Sequence, residues 1–340
     1  MKAALKRGLI GGLEAFGIHS LLPRLGEPRL LIPCYHGVVS EARPTAREGY
    51  EITVSCDEFA QHLEWLGRHY RFVDLAGALY WIENPSGGKP PVLISFDDGY
   101  RNNLTLAAPI LRRYGAPAIF FLSTHYIGGN RLLWPLEMDV RLEQSPGLAI
   151  PVGEQQRRIP AEPRSRAALA FELRQIYKKL PNAERLAALE RFRAATHFDP
   201  SQIDHELHDF LSWDEARQLA ALGFEIGSHT CEHPILSRLD EDELRQELQN
   251  SKDKLEAELG RPVTSLAYPN GGAADYSPQV VEMAKSCGYR TAFAVDEAFQ
   301  KPKTARPYAL SRIIVQGHWP QSQFHFLASG ARNLLSGRGF

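Results

Sequence analysis

A chain of 340 residues can bury a large core, as one big domain or two smaller ones. Its 44% hydrophobic content and formal net charge of -1 describe an ordinary soluble globular protein. No basic stripe interleaved with aromatics marks a nucleic-acid partner, and no apolar run reaches the length of a membrane span.

The first stretch, residues 1–28, begins with Lys2, Lys6 and Arg7 ahead of apolar residues, as a signal peptide does. Glu14 interrupts it and no small-residue cleavage site follows. Leu5, Leu9, Leu13 and Phe16 recur at helical spacing, which predicts an amphipathic segment, packed on the domain or in weak contact with a membrane surface. The expected location is the cytoplasm, peripheral at the inner membrane face if that contact exists. Cys34, Cys56, Cys231 and Cys287 lack CxxC spacing and read as isolated thiols, consistent with a reducing compartment.

From residue 29 onward, short apolar runs alternate with helical patterns. Strands are predicted at 30–39, in "RFVDL", and at 91–98, 117–123, 223–229, 264–269, 289–295 and 308–315. Helices are predicted at 57–70, at 104–115 closed by Gly115, and at 240–260 and 277–288. The alternation predicts an α/β fold with a parallel sheet, and about eight strands suit an irregular (β/α) barrel. Residues 137–208 break the rhythm and are expected to form a helical insertion within one domain spanning 29–318; residues 319–340 read as a C-terminal tail.

Three strand ends carry chemistry. "SFDDGY" places Asp97 and Asp98 at a carboxyl end, where α/β folds bind ligands, with Gly99 letting the chain turn. Side chains alternate along a strand, so one carboxylate can hold a metal while the other stays free as a base. The bland alternative is an Asp-Gly turn capping a helix. "GSHTCEHP" places His229 and His233 four apart, so that two imidazoles can converge on one ion, although chance HxxxH pairs are common among twelve histidines. Pro234 disfavours the helical zinc-protease reading of "HTCEH", and an iron oxygenase would leave one aspartate idle. "LAYPNGG" supplies a turn whose N–H groups could face a ligand, or simply a turn.

Together "SFDDG", "HTCEH" and "AYPNG" resemble the NodB-type polysaccharide deacetylases, carbohydrate esterase family 4, over residues 29 to 316. The resemblance implies an irregular (β/α) barrel that removes acetyl groups from glycans with one divalent metal. It implies Asp97 as general base, Asp98, His229 and His233 as metal ligands, and the backbone N–H of Tyr268 as oxyanion donor. Zinc is the default ion, and cobalt, nickel, manganese or iron suit the same ligands.

The third motif lacks the arginine that many relatives use to orient the base, as in the exopolysaccharide (biofilm) branch; Arg312 in "LSRIIV" is the expected substitute. The usual late histidine acid is also missing. His36 in "PCYHGV" matches the branch's first-strand histidine and is expected to protonate the leaving amine, with His318 as the lesser candidate. His125, Trp134 and Asp139 are expected either to line a sugar cleft or, for Trp134, to anchor the insertion. Charged residues of 240–260 are expected to form a solvated face.

The expected function is N-deacetylation of an amino sugar in a polysaccharide or glycan precursor, with an N-acetylated glycan or lipid-linked sugar as substrate. The alternatives are hydrolysis of a cyclic amide or imide and a silent carbohydrate-binding domain.

Overall fold

The computed structural model describes residues 22, 28–41, 52–129, 131–296, 298–317 and 319–331. The amphipathic segment expected at 1–28 lies almost entirely outside the described residues, as do His318 and the end of the tail. No helix among the described residues is long and apolar enough to cross a membrane.

Seven short strands close into a barrel: β1 Pro33–Tyr35, β2 Ile94–Phe96, β3 Ala118–Leu122, β4 Glu225–Ser228, β5 Ser265–Ala267, β6 Thr291–Val295 and β7 Leu310–Ile314. Each pairs in parallel with its neighbour in sequence, and β7 returns to β1, where Pro33 lies opposite Ile313. All seven carboxyl ends therefore open on one face, the face on which such barrels place their chemistry.

The strand expected at "RFVDL" does not join them. Only Arg71–Phe72 is extended, and it pairs with Pro91–Val92 outside the barrel. The run expected as one strand over 30–39 is broken at His36: after β1 the chain leaves the barrel, and Gly37–Val39 pairs with Thr53–Ser55. That break brings His36 to the barrel rim.

Aromatic and aliphatic side chains fill the barrel, among them Ile119, Phe121, Phe293 and Leu310. Gly227 on β4 makes room for one of them, since a Cβ there would stand 2.5 Å from the Phe121 ring. Outside, helix α1 (Cys56–His69) starts with a capping box between Ser55 and Glu58 and buries Phe59, Leu63 and Leu66.

The insertion enters between β3 and β4. It contains α2 (Trp134–Gln144), a hairpin of Ala149–Val152 with Gln155–Arg158, α3 (Pro163–Tyr177) and α4 (Asn182–Ala194). The hairpin was not expected of a helical segment. A separate apolar cluster holds these elements together, with Trp134, Met138, Leu173 and Phe192 at its centre. Helix α5 (Glu241–Leu259) runs from the Asp240–Glu243 capping box to Gly260, which ends it at φ 64°. Helix α6 (Pro278–Ser286) follows β5, and α7 (Gln321–Ala328) closes the described chain.

Candidate active site

Backbone geometry singles out the three motifs before any side chain is considered. Among the described residues, the non-glycine residues with positive φ are Asp98 (76°), Thr230 (67°), His233 (54°) and Asn270 (58°). A β-branched residue such as Thr230 seldom adopts that conformation. Strain of this kind persists only where surrounding contacts enforce it, and here it falls at the carboxyl ends of β2, β4 and β5.

The enforcing contacts can be named. The Asp97 N–H donates to Tyr35 O (3.0 Å), and the His229 N–H to Leu122 O (2.9 Å), which extends the ladders one residue beyond the strands. Thr230 Oγ1 accepts from the His233 N–H at 3.1 Å. Glu247, on α5, accepts from the N–H groups of Cys231 (2.8 Å) and Glu232 (3.0 Å) and so clamps the loop between the two histidines. The face expected to be wholly solvated thus sends one carboxylate inward. A lone glutamate in a charged helix gives no sequence signal of that role.

Asp97 and Asp98 are both buried, yet their surroundings push them apart. Arg312, fully buried on β7, donates to Asp97 Oδ1 at 2.6 Å and to Oδ2 at 2.8 Å. Its guanidinium lies 5.4 Å from the Phe121 ring centroid and 5.8 Å from that of Phe293. Burial alone would raise the Asp97 carboxyl, but Arg312 and His229 hold it below the usual carboxylate range. Asp98 has no such cation. Burial first, and the charge of Asp97 second, raise it to about 8, although the Tyr100 side chain hydrogen-bonds to it. Tyr100, directly after "DDG", was not singled out in the sequence.

Asp98 Oδ1 is buried without a hydrogen-bond partner. It faces His229 Nε2 at 3.5 Å and His233 Nε2 at 3.6 Å. Neighbouring ligands about 2.1 Å from one ion stand roughly 3.0–3.4 Å apart, so the set needs little movement to hold a divalent cation. His229 Nδ1 lies 2.8 Å from Ala267 O, which fixes its N–H on that side and leaves Nε2 as the electron-pair donor. Cys34, His36 and Asp97 form a second close group. Both oxygens of Asp97 are already committed to Arg312 there, so that group is a poor ion site.

His36 is half-buried on the cleft, opposite Asp97, with Nδ1 unpartnered. Burial lowers its pKa to about 4, against the opposing effect of Asp97. Tyr268 is not placed as expected. Its N–H donates to Phe293 O at 3.0 Å in the barrel ladder, and its hydroxyl to Tyr308 O at 2.9 Å, so it has no free donor for an oxyanion. Asn270, two residues on, lines the cleft and its N–H has no acceptor among the described residues. The left-handed turn at Asn270 shifts the available donor past the proline, a shift the motif spacing does not reveal.

The cleft over these groups measures about 550 Å³. His125 and Trp134 line a neighbouring cavity instead, and the Trp134 ring packs inside the insertion. Asp139 pairs with Arg174 there.

Comparison with known proteins agrees with this architecture. Residues 84–292 match the polysaccharide deacetylase family model, a span that holds both aspartates and both histidines but neither His36 nor Arg312. The polysaccharide-deacetylase-like protein YxkH of Bacillus subtilis (strain 168) is 20% identical over 298 residues, 87% of this chain and 75% of that protein. Among solved structures, IcaB from Ammonifex degensii superposes with a TM-score of 0.56 at 19% identity, covering 90% of this chain and 99% of that one. A de-N-acetylase from Aggregatibacter actinomycetemcomitans gives 0.56 at 18%, covering 88% and 99%. The Streptococcus pyogenes deacetylase PplD in complex with acetate gives 0.55 at 18%, covering 86% and 95%. With the family model spanning more than half of its length and both metal-type motifs, the chain belongs to the polysaccharide deacetylase family, hydrolases of the C–N bond in N-acetyl groups.

Proposed function

We propose that the protein is a divalent-metal-dependent deacetylase acting on the N-acetyl group of an amino sugar within a polysaccharide or a glycan precursor. The observation that carries this reading is the division between adjacent carboxylates: Asp97 answered on both oxygens by Arg312, and Asp98 Oδ1 unpartnered between two imidazoles. A pure binding module needs no second, ionised carboxylate beside its ion.

Asp98, His229 and His233 would hold the ion, with zinc the first choice for two imidazoles and a carboxylate. When bound, it would supply Lewis acidity, polarising the acetyl carbonyl and acidifying water. Asp97, kept ionised and oriented by Arg312, takes the proton from the attacking water. The Asn270 N–H would meet the developing oxyanion. His36 is neutral at rest; as negative charge gathers on the acyl centre it takes up a proton from solvent at the cleft and hands it to the leaving nitrogen. Residues 29–318 would act as one catalytic domain with its insertion. Four free thiols suit a cytoplasmic site of action, which cell fractionation would check.

The test is acetate release from N-acetylglucosamine oligomers by metal-reconstituted protein, with Asp97→Asn alongside. Release by the wild type, lost in a variant that still binds one ion, supports the reading. Equal release by both proteins would remove Asp97 as the base.

A further inference from the structure

The catalytic reading leaves one wall of the cleft unexplained. Three cations line it, and two separate parts of the chain supply them: Lys178 and Lys179 follow α3 of the insertion, and Arg238 lies in the short turn after His233. Among the described residues, none of the three makes an ion pair or a side-chain hydrogen bond. One carboxylate, Asp275, acts on Lys178 and Arg238, and its Oδ2 also accepts from the Gly272 N–H at 2.9 Å. Apart from the ligand set and the Asp97–Arg312 pair, a single carboxylate therefore faces three cations in a cleft of about 550 Å³.

The helix end accounts for part of this, because cations complement the C-terminus of α3. It does not account for Arg238, which converges on the same space from another element. Nor does it explain why Lys178 is half-buried, where burial and then Arg174 lower its pKa. The other insertion residues lining the cleft include apolar Leu133, Pro135 and Leu136, which offer an anion no countercharge, so the three cations would have to supply it.

We propose, on the footing of the deacetylase reading, that Lys178, Lys179 and Arg238 bind an anionic group, a phosphodiester or a uronate carboxylate, carried by the glycan beside the acetamido sugar. The substrate class is then an acidic N-acetylated glycan, and the insertion is a specificity element.

Binding is measured by calorimetry on metal-loaded Asp97→Asn protein, so that turnover of a particular sugar is not required. The probes are a hyaluronan tetrasaccharide, with carboxylates, against tetra-N-acetylchitotetraose, and UDP-N-acetylglucosamine, with a pyrophosphate, against methyl N-acetylglucosaminide. We expect at least one anionic probe to bind roughly tenfold tighter than its neutral counterpart. Adding Lys178→Gln and Arg238→Gln should shrink that advantage to less than about twofold, and rising salt should erode it. Which pair shows the effect distinguishes carboxylate from phosphate. Equal binding within both pairs, or an advantage untouched by the two substitutions, overturns the proposal. Hydrolysis of 4-nitrophenyl acetate by the metal-loaded wild type is followed separately. Its absence would count against the deacetylase reading, while the binding comparison still reports on the cationic wall.

Discussion

A carboxylate sealed in a barrel keeps its charge only if a cation answers it, and Arg312 answers both oxygens of Asp97. Removing one member of such a buried pair leaves the other uncompensated, which costs more than the pair contributes in the intact protein. Arg312→Leu should therefore destabilise the fold by roughly 3–5 kcal/mol, measured by urea unfolding. Asp97→Asn together with Arg312→Leu should recover most of that loss. A single variant as stable as the wild type would mean that Asp97 is not ionised in the fold. Sequence reasoning reached Arg312 through a missing arginine elsewhere. The contact of its guanidinium with the adjoining Phe121 and Phe293 rings follows from barrel register, which a linear chain does not display.

At the scale of elements, loop and helix cooperate in a way the motifs conceal. The loop from His229 to His233 contains two left-handed non-glycine residues, and Glu247 of α5 holds its N–H groups. Partners that orient ligands in this way typically govern metal affinity by 10–100-fold. Glu247→Gln keeps the size but weakens acceptance, so metal affinity should fall by about that factor while far-UV dichroism stays unchanged; undiminished affinity would contradict the clamp. A second element contact concerns acid stability. His62 of α1 stacks on Phe324 of α7 at 3.7 Å between centroids, with its Nδ1 3.3 Å from the Tyr35 hydroxyl. Burial, with His325 adding to it, lowers its pKa to about 3. The unfolded chain takes up this proton first, near pH 6.5. The contribution of His62 is therefore complete above pH 6.5 and is lost as pH falls towards about 3, at about 1.4 kcal/mol per pH unit. His62→Gln should flatten the stability profile over that window. An unchanged slope would show that His62 does not remain neutral. The helices themselves were legible from apolar spacing, as at 57–70 and 240–260. The barrel order, the break at His36, the hairpin at 149–158 and the engagement of the Tyr268 N–H were not, because each depends on which strand lies beside which.

Across the whole molecule, the ligand set ties together parts of the barrel that do not touch directly. Asp98 follows β2 and the histidines follow β4, with β3 lying between them. At this junction the buried Asp98 Oδ1 has no hydrogen-bond partner and faces the Nε2 atoms of both histidines, in strained backbone. Such a site stores a cost that ligation removes, and an ion that binds only the folded chain shifts the unfolding equilibrium by mass action. At 100 times the dissociation constant the shift is about 2.7 kcal/mol. Zinc added to chelator-treated protein should therefore raise the urea midpoint by an amount that grows with the logarithm of zinc concentration. Asp98→Asn should abolish that gain, while Asp97→Asn, whose position faces Arg312, should preserve most of it. A gain shared equally by all three proteins would place the ion elsewhere. A gain lost in both variants would mean that the two carboxylates act as one ligand unit, and the division of labour between them would fall with it.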